Sequence, residues 1–181
     1  LAIVLGGDGS ILRAARQMAS CQLPVLGVNM GKLGFLADVA TEALETVLPQ
    51  VASGQCRVVS HLMFQASVMR NGSPLASVLG LNETAILGGP PYHMLNIDLY
   101  VDAQLATTYS CDGLIISTPV GSTAHSLSAG GPILRKNLPA FVISPISPHT
   151  LTVRPVVDAA DNTYEMAVQN PGEAPSAVVD G

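Results

Sequence analysis

The pattern of apolar and polar positions changes along the chain. Its first part combines two continuous apolar runs, Leu1–Leu5 and Pro24–Val28, with apolar positions at helical spacing that begin at Ile11. Continuous runs are typical of buried parallel strands, and the helical spacing indicates an amphipathic helix. A second helix is predicted with Thr41 as its N-cap and Gly54 at its end. This part of the chain therefore predicts an α/β alternation.

Beyond residue 54 the helical periodicity nearly disappears. Asn71-Gly72, between two strand-like runs, is a strong hairpin signal. Further short runs, among them Val153–Val157, predict additional strands, and Thr123–Ala129 is a short candidate helix. We therefore expect two units, a partial α/β domain over residues 1–54 and an all-β domain over residues 55–181.

Composition and charge exclude several classes of protein. With 48% hydrophobic residues the chain is not disordered, and its apolar runs are far shorter than the roughly 18 residues of a membrane span. The net charge is −5 and the basic residues are scattered, so nucleic acid is not an expected partner. Three widely spaced cysteines without a CxxC motif favour the reducing cytoplasm over a disulfide framework.

The histidines and cysteines have no metal-ligand spacing. The sequence has neither an HExxH motif nor a Cys/His cluster, so no protein-held metal site is predicted. His61 and His149 lack partners at such spacing, which favours a structural role for both.

The first candidate for chemistry is the turn Gly6-Gly7-Asp8-Gly9-Ser10 between a strand and a helix. Glycines allow close approach of a ligand, and free N–H groups at a helix N-terminus attract phosphate. A carboxylate at Asp8 would repel phosphate unless it binds Mg²⁺ or accepts a proton from an attacking hydroxyl. The motif is neither GxGxxG nor a P-loop. The alternative is a plain turn in which Asp8 or Ser10 caps the helix.

Two further segments carry polar groups in apolar surroundings. The stretch 112–132 follows a buried strand and is rich in Ser, Thr and Gly, which suits a phosphorylated or ribose-bearing ligand. An ordinary Ser/Gly-rich loop is the alternative. Asn82-Glu83 precedes another apolar run and offers an amide and a carboxylate to ligand hydroxyls, although a solvent-facing position is equally compatible.

Five segments together resemble the NAD kinase family. They are the GGDGS turn, the run GVNMGKLGFLADV at 27–39, Asn82-Glu83, the stretch STPVGSTAHSLSAGGP that ends at Pro132, and SPHTLTVRPVV at 147–157. The resemblance spans almost the whole chain. GGDG alone is unspecific, because diacylglycerol and sphingosine kinases and phosphofructokinases carry similar loops, whereas the Ser/Thr-rich stretch is highly specific.

The resemblance implies a Rossmann-like α/β domain followed by a β-sandwich-like domain. It also implies transfer of phosphate from ATP or polyphosphate to the 2′-hydroxyl of the adenosine ribose of NAD, with Mg²⁺ as cofactor and NADP as product. Family members form homodimers and homotetramers and carry a further strand–helix unit before the GGDG loop. We therefore expect an oligomer, and a chain that is part of a longer protein whose activity depends on the remainder.

By the same resemblance Asp8 is the general base, Gly9 lies against the dinucleotide and Phe35 lies beside the adenine. The residues expected to bind the rest of NAD are Asn82, Glu83, His93, Ser110, Asp112 (at the nicotinamide end), Thr123, Ala124, His125, Ser126, Leu127 and Ser128. Two of these depart from the family pattern, since His125 stands where many relatives have Tyr and Ser110 where some have Arg. A catalytically silent NAD-binding fragment and a GGDG-type lipid kinase are the alternative functions.

Overall fold

A computed structural model describes residues 1–31, 34–90, 93–169 and 175–181. The contacts within it divide the chain into two units, Leu1–Ser60 and His61–Gly181. The division lies slightly beyond the boundary at residue 54 that the change of pattern suggests.

The first unit is a small parallel α/β arrangement, as expected. In chain order its elements are β1 (Ala2–Gly6), α1 (Asp8–Met18), β2 (Val25–Asn29), β3 (Val39–Ala40), a 3₁₀ turn (Thr41–Ala43) and α2 (Leu44–Ala52). The sheet order is β1-β2-β3, and both pairings are parallel. The helix α1 packs against β1, so this unit places the residue after β1 at the start of a helix.

Three local expectations in this unit are wrong. The helix α1 begins at Asp8 rather than near Ile11, because Ser10 N already donates to Gly7 O and closes the first turn. Thr41 is not an N-cap but lies inside the 3₁₀ turn, and its hydroxyl donates to the carboxylate of Glu42. The strand β1 is not buried on both faces, since alternate side chains of a strand point to opposite faces and Leu5 is 60% exposed.

The second unit consists of antiparallel sheets. Its strands are β4 (Phe64–Arg70), β5 (Ser73–Gly80), β6 (Glu83–Leu87), β7 (Leu95–Val101), β8 (Gln104–Cys111), β9 (Gly113–Ser117), β10 (Ala140–Ile146), β11 (Val156–Ala159), β12 (Tyr164–Val168) and β13 (Ser176–Val179). They form a five-stranded sheet of order β11-β10-β9-β6-β13, a three-stranded sheet β12-β7-β8, and the hairpin β4-β5.

The core of the second unit lies between the two larger sheets, which confirms the β-sandwich-like fold. Its buried residues come from β7 and β8 on one side and from β9 and β10 on the other, and they are Leu95, Ile97, Leu99, Tyr109, Cys111, Leu114, Ile116, Phe141 and Ile143. Phe141 makes edge-to-face contacts with Phe64 and Tyr164. Burial raises the pKa of the Cys111 thiol to about 11, which makes this cysteine a structural and unreactive group.

The turns explain where the sequence pattern succeeded and failed in this unit. Asn71 and Gly72 have φ values of +50° and +75°, so the expected hairpin is confirmed. The helix expected over Thr123–Ala129 is reduced to a 3₁₀ turn (Gly121–Thr123) and the four-residue α3 (His125–Ser128), because Ala124 takes a non-helical conformation between them. The strand expected at Val153–Val157 starts only at Val156.

Candidate functional site

The carboxylate of Asp8 ties the start of α1 to the segment that precedes β3. Its Oδ2 accepts a hydrogen bond from the backbone N of Phe35 at 2.8 Å. Its Oδ1 accepts from the backbone N of Leu36 at 2.9 Å and of Ala37 at 3.1 Å. Three consecutive amides therefore hold one carboxylate in a fixed position at the end of β1, and they bring Phe35, whose side chain is exposed, next to Asp8.

Gly34 makes this approach of the carboxylate possible. A Cβ at position 34 would lie 2.2 Å from Asp8 Oδ1 and 2.6 Å from its Cγ. These distances are well inside van der Waals contact, so any side chain at this position displaces the carboxylate. Packing against the carboxylate of Asp8 therefore requires glycine at position 34, the second Gly of GKLGF.

The substitution Gly34→Ala is expected to separate Asp8 from the amides of residues 35–37. Losing these bonds should speed amide exchange at Phe35, Leu36 and Ala37 by at least about tenfold, because a hydrogen bond to a charged group contributes about 1.5–3 kcal/mol. Hydrogen exchange followed by NMR measures this. Gly31→Ala is the control, since a Cβ there meets nothing within 4 Å. Equal exchange rates in the two variants would contradict the contact.

A second cluster surrounds the turn at Leu81–Glu83 in the other unit. All three backbone N–H groups donate to the carboxylate of Asp180, with the shortest bond, 2.7 Å, from Asn82 N to Oδ1. Thr118 accounts for two of the three carbonyls, since its Oγ1 donates to Leu81 O at 2.6 Å and its N to Asn82 O at 2.8 Å. Asp180 N donates to the third, Glu83 O, at 3.0 Å. The backbone of this turn is therefore fully hydrogen-bonded.

Gly121 packs directly on the same turn. A Cβ at this position would lie 2.2 Å from Asn82 O and 2.4 Å from its carbonyl carbon. Both atoms belong to the backbone and cannot rotate away. The first residue of the 3₁₀ turn after β9 is therefore in contact with the Asn82-Glu83 turn, and two of the motifs that the sequence singled out lie side by side.

The hydroxyls of the Ser/Thr-rich stretch are used largely inside the protein. Ser122 is fully buried, donates to Pro119 O at 2.6 Å and accepts from Leu134 N at 3.0 Å. Ser126 is also fully buried, and its Oγ lies 3.0 Å from Ser144 Oγ. The side chains of His125, Leu127 and Ser128 are exposed, while Thr123 and Ala124 are half-buried. A ligand would therefore meet these five residues more readily than Ser126, whose expected contact with NAD stays a prediction.

A third group of predicted residues meets at the ends of β7 and β8. Ser110 Oγ donates to Asn96 Oδ1 at 2.7 Å, and Asp112 O accepts from Gly88 N at 3.0 Å. An ideal Cβ on Gly88 would lie 3.4 Å from the backbone oxygens of both Asp112 and His93, so these segments are neighbours. The side chains of Asp112 and His93 are exposed.

The two isolated histidines lie in different surroundings, and the structural role expected for both stays a prediction. His149 Nε2 lies 3.9 Å from Asp112 Oδ1, and both side chains are more than half exposed, so this histidine belongs to the third group. His61 is half-buried, and its Nδ1 is buried without a hydrogen-bond partner in the described part of the chain. Burial and the charge of Lys136 lower the pKa of His61, which keeps it neutral.

Glu83 is the buried ionisable group of the second cluster. Burial and, as the smaller cause, the charge of Asp180 together raise the pKa of Glu83 to about 7. Its Oε2 is buried and has no hydrogen-bond partner among the described residues. An unfolded Glu titrates near 4.5, so the folded chain holds the proton to higher pH, and this group lowers the free energy of unfolding as pH rises from 4.5 to about 7.

The described residues contain neither a cluster of metal ligands nor a membrane-spanning helix. No three of their His, Cys, Asp and Glu side chains are grouped so that they could hold a metal ion. None of the helices in the described ranges is long and apolar enough to cross a membrane.

A carboxylate fixed at the start of a helix in a parallel α/β unit, followed by a β-sandwich-like unit with a Ser/Thr-rich segment, defines a protein of the α/β plus β-sandwich class. Family comparison makes this specific. The ATP-NAD kinase N-terminal domain matches residues 1–56, and the ATP-NAD kinase C-terminal domain matches residues 81–181. The chain belongs to the NAD kinase family.

Individual relatives agree with the family match. The chain is 58% identical to an NAD kinase of Rhodopirellula baltica over its whole length and spans 58% of that protein. It is 48% identical to an NAD kinase of Hahella chejuensis over 87% of the chain, which is 53% of that protein. The chain therefore spans little more than half the length of these curated relatives.

Solved structures share the fold. A yeast NADH kinase, crystallised with NADH, superposes over 99% of this chain with a TM-score of 0.92 at 28% identity, and the match covers 52% of that chain. An NAD kinase from Archaeoglobus fulgidus in complex with ATP superposes over 99% with a TM-score of 0.84 at 31% identity, and the match covers 67% of that chain.

Proposed function

We propose that the protein to which this chain belongs is an NAD kinase, which phosphorylates the 2′-hydroxyl of the adenosine ribose of NAD. The observation that carries the proposal is the Asp8 carboxylate, held by three backbone amides at the turn between β1 and α1. Family membership supports NAD as acceptor and ATP as donor. Polyphosphate is the alternative donor.

Asp8 acts as general base in this proposal. The 2′-oxygen of the ribose forms a bond to the γ-phosphorus of ATP while the bond between that phosphorus and the bridging oxygen of ADP breaks. The hydroxyl proton passes to the carboxylate of Asp8, and NADP and ADP leave. Fixing the carboxylate by backbone amides reduces the entropy that must be lost when the base is positioned for this step.

The remaining predicted residues bind the substrates. Gly9 and Phe35 contact the dinucleotide near Asp8, with Phe35 at the adenine. The polar side chains of the second and third clusters bind its hydroxyls and its nicotinamide end; they are Asn82, Glu83, His93, Ser110 and Asp112. The adenosine and phosphates lie along the stretch from Thr123 to Ser128. The exposure of His125 and Ser128 supports this role for them.

Magnesium is expected to enter with ATP. Mg²⁺ at sites of this kind is held by one or two carboxylates together with the phosphates of the substrate. Asp8 offers oxygen atoms of the kind that Mg²⁺ prefers. When bound, the ion neutralises charge on the transferring phosphoryl group.

The assembly and the location of the protein are also proposals. We propose a homodimer or homotetramer in the cytoplasm. The free thiols of Cys21, Cys56 and Cys111 support a reducing compartment.

The direct test is formation of NADP from NAD and Mg-ATP, followed with an NADP-specific dehydrogenase. We expect product from the chain in its full-length protein, with polyphosphate assayed in parallel as donor. NAD binding without any product, by calorimetry on the same preparation, would instead establish a silent NAD-binding protein. Phosphorylation of a diacylglycerol in place of NAD would establish the lipid-kinase alternative.

A further inference from the structure

Asp180 is hydrogen-bonded to all three residues of a turn that is distant from it in sequence. Its carboxylate accepts from the backbone N of Leu81 at 2.9 Å, of Asn82 at 2.7 Å and of Glu83 at 3.2 Å. Its own N donates to Glu83 O at 3.0 Å. Three N–H donors and one carbonyl acceptor of the turn therefore bond to Asp180, the residue that follows β13. Asp180 thereby fixes the backbone from which the side chains of Asn82 and Glu83 project.

The side chain of Glu83 makes this placement consequential. Glu83 is 94% buried, since its relative exposure is 6%, and its Oε2 has no partner among the described residues. An unsatisfied buried carboxyl oxygen is costly, and a hydrogen bond from a ligand hydroxyl would remove that cost. The strands β9 and β13, which flank β6, carry no ionisable side chain. Asp180, which directly follows β13, is the charged residue that acts on the carboxyl of Glu83.

We propose that Asp180 is a positioning residue for NAD binding: its carboxylate fixes the Leu81–Glu83 turn and thereby directs the side chains of Asn82 and Glu83 at the hydroxyls of the substrate. This inference rests on the proposed NAD kinase function. Asp180 itself does not touch the substrate. Its negative charge also keeps the carboxyl of Glu83 protonated to higher pH, since it adds to the effect of burial on the pKa.

Two substitutions test the role of Asp180 without imposing a new backbone conformation. Asp180 has φ of +54°, a region that Asn and Gly adopt most readily. Asp180→Asn keeps the shape and one acceptor oxygen but removes the charge, while Asp180→Gly removes the carboxylate altogether. Both should raise the KM for NAD, by about tenfold in the Gly variant, while kcat changes less than about threefold.

The matched control is Asp102→Asn. Asp102 also has a positive φ, +48°, and its Oδ1 accepts a hydrogen bond from the backbone N of Thr163 at 2.8 Å. It therefore loses the same kind of interaction, in the same conformation, at a turn that carries none of the proposed binding residues. Its KM for NAD should equal that of the wild type.

Two readouts that need no substrate separate this inference from the function on which it rests. Amide exchange at Leu81, Asn82 and Glu83 should accelerate at least about tenfold in Asp180→Gly, and the pKa of Glu83, measured by carboxyl ¹³C NMR, should fall in Asp180→Asn. A wild type that forms no NADP would overturn the proposed function. An active wild type whose KM is unchanged by both substitutions would overturn the positioning role, as would unaltered exchange at the three amides.

A double substitution shows whether Asp180 acts through Glu83. If it does, Asp180→Asn should raise the KM for NAD less in a Glu83→Gln background than in the wild type. Additive effects of the two substitutions would overturn this part of the proposal. Because Gln resembles a protonated Glu in shape and neutrality, the variant also removes the contribution of Glu83 to the pH dependence of KM.

Discussion

The substitution Gly121→Ala is expected to destabilise the second unit by about 3 kcal/mol and to lower kcat/KM for NAD by about a hundredfold. The added Cβ would lie 2.2 Å from Asn82 O, and backbone atoms cannot move aside as a flexible side chain can. Either the 3₁₀ turn or the Asn82-Glu83 turn must shift. A shift of the Asn82-Glu83 turn would also strain the hydrogen bonds that Thr118 and Asp180 make to it.

Urea unfolding of the wild type and the variant, together with steady-state kinetics, checks this expectation. Gly88→Ala is the control, because a Cβ there would approach its neighbours no closer than 3.4 Å, an ordinary contact distance. It should leave the free energy of unfolding within about 1 kcal/mol of the wild type. Unfolding midpoints that are the same for Gly121→Ala and Gly88→Ala would show that the loop after β9 does not depend on this contact.

The sequence predicted whether an element is a helix or a strand more accurately than it predicted where the element begins and ends. Periodicity distinguished the α/β part from the β part because side-chain alternation reports burial directly. The periodicity misplaced the start of α1, because the glycines around Asp8 suggest a loop. In the structure the carboxylate of Asp8 accepts hydrogen bonds from residues 35–37, which lie outside the helix, and these bonds fix the turn. Local sequence carries no record of such distant partners.

The same limit applies to the candidate sites. The motifs pointed to Asp8 and to Asn82-Glu83 because unusual residue types interrupt apolar runs there. They did not distinguish hydroxyls that are available to a ligand from hydroxyls that form hydrogen bonds inside the protein, such as that of Ser126. Both kinds give the same Ser/Thr-rich sequence. Asp180 was missed because its partners lie 97 to 99 residues away. Its signal was an Asp-Gly pair directly after a strand, which is also what an ordinary turn contains.

The substitution Asp8→Asn should lower kcat for NADP formation by about a thousandfold, because an amide cannot accept the proton of the attacking hydroxyl. The affinity for NAD should change less than about threefold, since Asn retains one oxygen that accepts from the amides at 35–37. Its Nδ2 would face a backbone N–H that now bonds to a carboxylate oxygen, so stability should fall by about 1 kcal/mol. Single-turnover kinetics, with NAD affinity by calorimetry, separates the two effects.

Comparison with two other substitutions distinguishes the chemistry of Asp8 from its position. Gly34→Ala retains the carboxylate but moves it, so it should also lower kcat, and raising the pH should not restore the rate of either variant. Asp38→Asn is the matched control, since this exposed carboxylate lies one residue beyond the amides that hold Asp8 and has no proposed role. Full turnover by Asp8→Asn would show that another group takes the proton. A large loss in Gly34→Ala alone would then assign Asp8 the structural role of fixing the 34–37 segment.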